Sequence, residues 1–516
     1  MRNIFTGKTF LFAFCVVLAL LTNWVFGVHF GEASENYWVS QWAQEYPKGS
    51  AILNLELFLY GISYPIYWLS SLNHNLNFLA IFLWVANLWA VFLVLETVSH
   101  RLKHVRNYVF VGFFFLVLFA ENFVFIDLTR SAITLSFAGI LFGVYNNGRR
   151  PRILVAMISI IIGLCIRPAV GYLGIVFFFL ILLSKYFHGF DVWDIRRRLF
   201  PILLTLVCFI GLQRVTKNKE FSTINKLRSQ VYDRGYEISN FNDLDTKDLE
   251  VFKNGFVGFS NLKSSFYSKA ESEISTETML DKLNVDVLGK LDYYPYIFLL
   301  LVLMMIPLVK KRMYLIPVLW VASLIALSVF YKLPNRIFYP YSGMFLLMVL
   351  MIYPDSFKVR RVWVKGLLFV VLGLSLGKMG LRSKYSLETQ FSNDDRYYNL
   401  IEEAKGNYLF VKGMRRFTLF LNPFKNYGEK ELKGLIGLTG WPTLLPSYVE
   451  TLNYTFGYKE YADILASPHY PEKTLFLLDN DDVRILTNYI RDTKGQTINL
   501  VKESSLNSKM GLYRLK

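Results

Sequence analysis

Charge is scarce in this chain. Only 18% of its 516 residues are Asp, Glu, Lys or Arg, 53% are hydrophobic, and mean hydropathy is +0.34. A soluble chain of this length carries more charge, so the composition excludes an ordinary soluble domain and implies a polytopic membrane protein. Cysteine is scarcer still. Cys15, Cys165 and Cys208 all lie in apolar stretches and none forms a CxxC pair, which excludes a disulfide framework and a cysteine zinc site. The six histidines are scattered without metal-ligand spacing. There is no GxGxxG, no internal repeat and no low-complexity tract.

What is abundant is hydrophobic sequence punctuated by basic clusters. The clusters are Arg2/Lys8, Arg101/Lys103/Arg106, Arg149/Arg150/Arg152, Arg196/Arg197/Arg198, Lys310/Lys311/Arg312 and Lys358/Arg360/Arg361/Lys365. The net charge of +17 follows largely from them. They occupy short loops rather than one folded face, so they suit the positive-inside rule and not a nucleic-acid partner.

A span needs roughly 20 mainly apolar residues. The stretches 9–28, 76–98, 108–126, 129–147, 169–187, 199–214, 293–309, 314–331 and 336–353 qualify, with 153–166 and 362–381 as weaker members; Lys365 and Lys378 can snorkel from the two ends of the last. The run after Arg2 and Lys8 is long for a signal peptide and reads as an uncleaved first span. Residues 56–72 are rich in Tyr and Trp and broken by Gly61 and Pro65. If they crossed, every later basic cluster would invert, so they are expected to lie in the interface, as is Tyr37–Tyr46. The expectation is eleven spans, with the N-terminus cytoplasmic and the C-terminus extracytoplasmic.

Four segments then face outward: loop 29–75, the turn at Asp127, loop 215–291 and the tail. The tail alternates apolar runs (Tyr408–Val411, Phe417–Leu421, Thr474–Leu478, Ile498–Val501, Leu512–Leu515) with a helical pattern over Asp481–Arg491, and Asp479–Asp482 carries a helix N-cap signal. The predicted organisation is an all-α polytopic membrane bundle over 1–381 and an extracytoplasmic α/β domain over 382–516.

Unusual polar residues crowd the outer boundary. Glu32 and Glu35 follow the first span, where an apolar surround can raise a carboxyl pKa and suit a general base. Glu121, Asp127 and Arg130 lie around the next outer turn; Asp127 and Arg130, three apart, can also simply pair with each other. Arg167 precedes Pro168, and Lys332 and Arg336 sit outside against the positive-inside trend. Arginine matches phosphate geometry bidentately, so Arg130, Arg167, Arg336 and Lys332 are candidate phosphate ligands. In the tail, Arg415, Arg416, Trp441, Tyr448 and His469 can touch a carbohydrate or serve as ordinary core and surface. Carboxylates in two loops and basic groups in two others suit transfer from a lipid-phosphate donor.

This arrangement resembles the GT-C fold of integral membrane glycosyltransferases. The matching pieces are the long first external loop with Glu32 and Glu35, Asp127 in the second, and RIFYPYSG from Arg336, which is similar to a segment opening a late span in many such enzymes. One departure is that the usual first-loop residue is Asp, whereas this chain has spaced Glu. Phage-type O-antigen glucosyltransferases look closest in layout. The resemblance implies a hexosyltransferase of the bacterial inner membrane with Glu32, Glu35 and Asp127 as catalytic carboxylates. It implies a polyprenyl-phosphate sugar donor, a glycan or lipid-linked acceptor such as an O-antigen unit, and a divalent metal, Mg or Mn, at Asp127 if any. A second resemblance, over residues from Asp127 to Phe177, is to EpsG-like polysaccharide polymerases, which show His where this chain has Arg167 and normally lack such a tail. A lipid-linked saccharide transporter is the third reading; it would place ionisable residues at the midplane.

Overall fold

The computed structural model describes residues 7–31, 35–44, 58–101, 108–145, 150–187, 192–216, 219–234, 241, 244–259, 262, 264–310, 314–352, 362–412, 418–427, 432–467, 473–505 and 510–516. Each of the eleven apolar stretches is helical over most of its described residues, and 108–126 breaks into two helices and ends in a two-residue strand. In chain order the first half contains α1 (Gly7–Phe26), β1 (His29–Phe30), α2 (Glu35–Gln44), α3 (Ser63–Leu72), α4 (Phe78–Arg101), α5 (Tyr108–Leu118), α6 (Ala120–Val124), β2 (Phe125–Ile126), α7 (Leu128–Tyr145), α8 (Arg150–Ile166), α9 (Val170–Phe187) and α10 (Val192–Thr216). Loop helices α11 (Lys219–Asp233), α12 (Thr246–Lys253), α13 (Ser264–Ser272), α14 (Thr276–Leu283) and α15 (Gly289–Tyr293) follow. Then come α16 (Pro295–Lys310), α17 (Leu315–Phe330), α18 (Asn335–Ile352) and α19 (Val362–Glu403).

Among the described residues six helices are long and apolar enough to cross a membrane, and three more are apolar but shorter. The bundle is built around α7. All eighteen of its residues are buried, and it packs against α4, α8, α9, α10 and α18. Small residues allow the closest of these approaches: a Cβ on Gly139 would lie 2.8 Å from the Ala156 carbonyl, and one on Gly143 2.9 Å from Ala156 Cβ. Backbones that approach this closely gain van der Waals contact where lipid offers no hydrophobic drive. By contrast α1 and α17 leave Trp24, Val25, Val318 and Phe330 more than half exposed, as lipid-facing helices do.

Among the described residues of 56–72 only α3 is an α-helix. Its ten residues reach about 15 Å, half a bilayer's hydrocarbon thickness. The expectation for 37–46 needs revision. Asn36, Tyr37, Trp38, Val39, Ser40, Gln41 and Ala43 are all buried, so α2 is sunk into the protein rather than laid on the membrane; residues 45 and 46 lie outside the described residues.

α19 runs unbroken for 42 residues, from the expected last span through the 381/382 boundary into the tail. Beyond it, the described residues carry a five-stranded sheet ordered β4-β3-β5-β7-β6, formed by β3 (Tyr408–Val411), β4 (Gly434–Gly437), β5 (Thr474–Asp479), β6 (Leu500–Ser505) and β7 (Met510–Leu515). β3, β4 and β5 are parallel; β7 is antiparallel to β5 and to β6. Three helices accompany it: α20 (Pro446–Phe456), α21 (Tyr461–Ala466) and α22 (Asn480–Lys494). α22 starts where expected, with Asp479 and Asp482 forming a reciprocal capping box. Two details differ. Residues 418–421 form a helical turn and bend rather than a strand. β4 has two glycines in four residues and lacks the β-branched pattern that marks strands. The external loop docks on this domain through Lys247–Asp492 (2.8 Å) and Arg484–Glu250 (2.7 Å).

Candidate functional site: a buried carboxylate held by three basic side chains

A two-residue parallel ladder organises one end of the bundle. His29 and Phe30, leaving α1, pair with Phe125 and Ile126, leaving α6, and the Gly31 amide donates to the Ile126 carbonyl at 2.7 Å. The segment after α1 and the turn before α7 are thereby tied together. Next to the ladder, Asn36 and Asp127 interlock: Asn36 Nδ2 donates to Asp127 Oδ2 (2.8 Å), and Asn36 Oδ1 accepts from the Leu128 amide (3.1 Å). Asp127 Oδ1 accepts from the Arg130 amide (2.9 Å). Asp127 is thus the N-cap of α7, satisfying an amide that would otherwise be unpaired at a buried helix start.

Capping α7 aims Arg130 back at α6. Its guanidinium donates to the Glu121 backbone carbonyl (3.2 Å) and lies 3.4 Å from Glu121 Oε1; both side chains are 1% exposed. Two more basic groups come from α19. Arg382 Nη1 donates to Glu121 Oε1 at 2.7 Å, and Lys378 Nζ donates to Oε2 at 3.4 Å. Lys378 and Arg382 are four apart, so a helix puts them on one face. Tyr294 OH lies 3.5 Å from Glu121 Oε1. The α15–α16 junction supplies an aromatic wall: Lys378 Nζ is 3.4 Å from the Tyr294 ring centroid and 3.8 Å from that of Tyr293, while Arg382 stacks on Phe125 at 3.9 Å. Tyr339, anchored by its hydroxyl to the Val117 carbonyl (3.0 Å), closes the cluster under Arg130.

The two guanidinium groups alone outnumber the one carboxylate. Arg130 is sealed, but Lys378 and Arg382 keep 15% and 23% of their side chains exposed. The cluster therefore presents two part-exposed cations on its open side, bounded by aromatic rings. A phosphate with an apolar substituent fits such a surface.

Of the residues singled out by sequence, Asp127 and Arg130 are brought together with Glu121. Glu32 lies outside the described residues, and of Glu35 the backbone, at the start of α2, is described. Gly31, the neighbour of Glu32, rests against Asp127. Arg167 stacks on Phe58 (4.2 Å), Lys332 lies over the Tyr232 ring (6.0 Å), and Arg336 opens α18 one turn before Tyr339. Lys378, read as a snorkelling residue, and Arg382, in the expected tail, escaped sequence reasoning. The available signal was their i, i+4 spacing at the end of the apolar run that opens α19. In the tail, Tyr448 is buried and donates to the Gly437 carbonyl (2.7 Å), so it is core; Arg415, Arg416 and His469 lie outside the described residues, as does the Trp441 side chain. Among the described residues no group of three His, Cys, Asp or Glu side chains converges as metal ligands would.

No protein-family model matches the chain, and no curated protein matches it. Among solved structures it is similar to ArnT from Cupriavidus metallidurans bound to undecaprenyl phosphate, with a TM-score of 0.50 and 12% identity over 98% of each chain. The fold is the GT-C type. The apo state of the same ArnT gives a TM-score of 0.43 at 12% identity, over 98% of this chain and 97% of that one. The oligosaccharyltransferase of Archaeoglobus fulgidus gives 0.40 at 11% identity, over 99% of this chain and 73% of that one. At these identities the GT-C likeness concerns architecture, and the chemistry has to be argued from the site.

Proposed function

We propose that this chain is a bacterial inner-membrane glycosyltransferase. It moves a sugar from a polyprenyl-phosphate donor to a cell-surface glycan or lipid-linked acceptor on the outer face. The observation that carries this reading is the convergence of Arg130, Lys378 and Arg382 on Glu121, with Lys378 and Arg382 part-exposed on the open side of an aromatic-lined cluster. The GT-C fold, and the undecaprenyl phosphate bound to ArnT, make a lipid phosphate the natural ligand.

In this reading eleven helices cross and the N-terminus is cytoplasmic. The donor phosphate meets Arg382 and Lys378, with Arg167, Arg336 and Lys332 as further phosphate ligands along the outer boundary. Glu32 or Glu35 removes the proton from the acceptor hydroxyl. The hydroxyl oxygen bonds to the anomeric carbon from the face opposite the phosphate, the carbon–oxygen bond to phosphate breaks with inversion, and polyprenyl phosphate leaves with its added charge on the basic pair. Asp127 supports the first-loop base by fixing Asn36 and Gly31, and any divalent ion would sit with Asp127 and a first-loop carboxylate. Glu121, held by three cations, acts as their counter-ion.

The test uses purified protein in lipid nanodiscs with undecaprenyl phosphate, its neutral alcohol and radiolabelled undecaprenyl-phosphate hexose. Binding of the phosphate and not the alcohol, together with transfer of a single sugar to an added glycan acceptor, is expected. Equal binding of both lipids would end the proposal, and ladders of long product would replace transfer with polymerisation.

A further inference from the structure

The end of the long external loop contains a continuous helical rod, 276–293: α14, one π turn at Asn284–Leu288, and α15. One face of this rod grips the end of α17. Lys282, only 4% exposed, donates its ammonium to the carbonyls of Ser328 and Tyr331. Asp286, one turn on, accepts from Ser328 Oγ (3.1 Å) and the Leu333 amide (3.4 Å). Lys282 thereby satisfies carbonyls that a helix C-terminus leaves unpaired, and its charge complements the helix dipole there. These contacts fix the height of the rod at the level of Ser328–Leu333.

The rest of the rod is uncovered. Leu280 (57%), Val285 (67%), Leu288 (54%) and Leu291 (42%) are exposed, away from the gripping face. Single exposed leucines need no explanation, but a row of four on 18 residues does. The surface next to the row decides what meets it. α17 has no charged residue from Leu315 to Phe330, and leaves Val318, Val321, Ile325, Phe330 and the following Tyr331 exposed. That strip is a lipid-facing helix surface running up to the point Lys282 holds. Exposed Glu277, Asp281, Asn284 and Asp292 alternate with the row, so this side of the rod would meet polar headgroups as well as acyl chains, as a helix lying at headgroup depth does.

We infer that the rod 276–293 is a membrane-surface helix, seated in the headgroup region of the outer leaflet with Leu280, Val285, Leu288 and Leu291 against lipid. It ends at Tyr293 and Tyr294, the rings that wall in Lys378, so lipid contact and the phosphate-binding cluster lie on one continuous element. The inference rests on the reading that α17 crosses the bilayer.

The experiment uses full-length protein in lipid nanodiscs, with its three cysteines replaced by alanine and a nitroxide attached at Leu280→Cys or Leu288→Cys. Collision rates with oxygen, which concentrates in lipid, and with a water-soluble nickel chelate are read by power saturation. Val321→Cys on α17 is the lipid control and Arg484→Cys on α22 the aqueous one. Oxygen should dominate several-fold at positions 280, 288 and 321, and nickel at 484. Nickel dominance at 280 and 288, with 321 still lipid-like, would overturn the inference and leave the crossing intact. Low collision with both reagents would also overturn it, because a protein surface rather than lipid would then cover the row. An aqueous signal at 321 itself would remove the crossing, and the inference with it.

Discussion

Arg382 Nη1 stands 2.7 Å from Glu121 Oε1 although 261 residues separate the two in sequence. The contact joins the middle of α19, which continues into the tail, to the short α6 within the bundle. It recruits a cation to a carboxylate already engaged by Arg130. The result is a site whose inner half is a sealed ion pair and whose other half carries two part-exposed cations.

The outer half should bind and the inner half should hold. Arg382→Ala is expected to weaken binding of undecaprenyl phosphate about 10- to 100-fold, the equivalent of one charged hydrogen bond of about 1.5–3 kcal/mol. Thermal stability should change little, since Arg130 and Lys378 still face Glu121. Arg382→Lys should recover part of the affinity. Equal lipid binding by wild type and Arg382→Ala would remove this residue from the site.

Glu121→Gln should behave in the opposite way. It leaves Arg130, 1% exposed, without its counter-ion, and breaking a buried pair from one side costs about 3–5 kcal/mol. Thermal unfolding in detergent should therefore shift down by many degrees, with lower expression. An unchanged melting temperature would mean that Arg130 does not depend on this carboxylate.

Asp127 separates structure from chemistry. Asn caps helices about as well as Asp, whereas Ala costs about 1–2 kcal/mol. Asp127→Asn keeps the cap acceptor but turns an amide NH2 toward Asn36 Nδ2, so it should lower the melting temperature less than Asp127→Ala, which loses both contacts. If the carboxylate also supports the first-loop base or a metal, Asp127→Asn will fold but transfer sugar slowly. Wild-type transfer by Asp127→Asn would confine the residue to capping.

How much of this was legible in the sequence depends on the range of the interaction. Helix positions were legible because hydropathy is local, and the cap at Asp479 because its partner lies three residues away. Asp127 and Arg130 were legible as a close pair for the same reason. The basic face formed by Lys378 and Arg382 was not: the counter-ion that gives it meaning is 257 and 261 residues distant. The burial of α2 was missed because its aromatics suit an interface as well as a core, and only packing against other elements decides between them. β4 was missed because pairing with β3, not strand propensity, makes Gly434–Gly437 a strand.

His29 gives the outer junction a pH limit. Burial holds its imidazole well below the usual value, at about 4 instead of 6.5, and the nearby Arg382 adds to the effect, while the Phe26 carbonyl at 3.1 Å opposes it. The folded protein keeps His29 neutral where the unfolded chain would already be protonated. Its contribution is therefore complete above pH 6.5 and is lost as pH falls from 6.5 toward 4, amounting to about 3 kcal/mol over that window. Melting curves at pH 7.5 and 5 should show a drop in wild type that is smaller in His29→Gln. Parallel pH dependences in the two proteins would assign the acid sensitivity elsewhere.

Gly31 is the narrowest point of the junction. A Cβ there would lie 2.7 Å from Asp127 Cβ, 2.8 Å from Asp127 Oδ2 and 3.1 Å from Asn36 Nδ2. These atoms cannot move aside freely: Asp127 is pinned by the Arg130 amide and by Asn36, and the Gly31 amide is itself bonded to the Ile126 carbonyl. Gly31→Ala must therefore push Asp127 out of its cap or lift the first loop off the second, at a cost of about 1–3 kcal/mol for an overpacked site. Because Glu32 follows directly, the displacement is delivered to the proposed base, and transfer should fall much further than stability. Gly211→Ala on α10 is the control, since a Cβ there meets nothing within 4 Å; a helix gains from Ala over Gly, so it should be neutral or stabilising. Normal transfer rates in both variants would show that the first loop does not need this contact, and would detach Glu32 from the Asp127 side of the site.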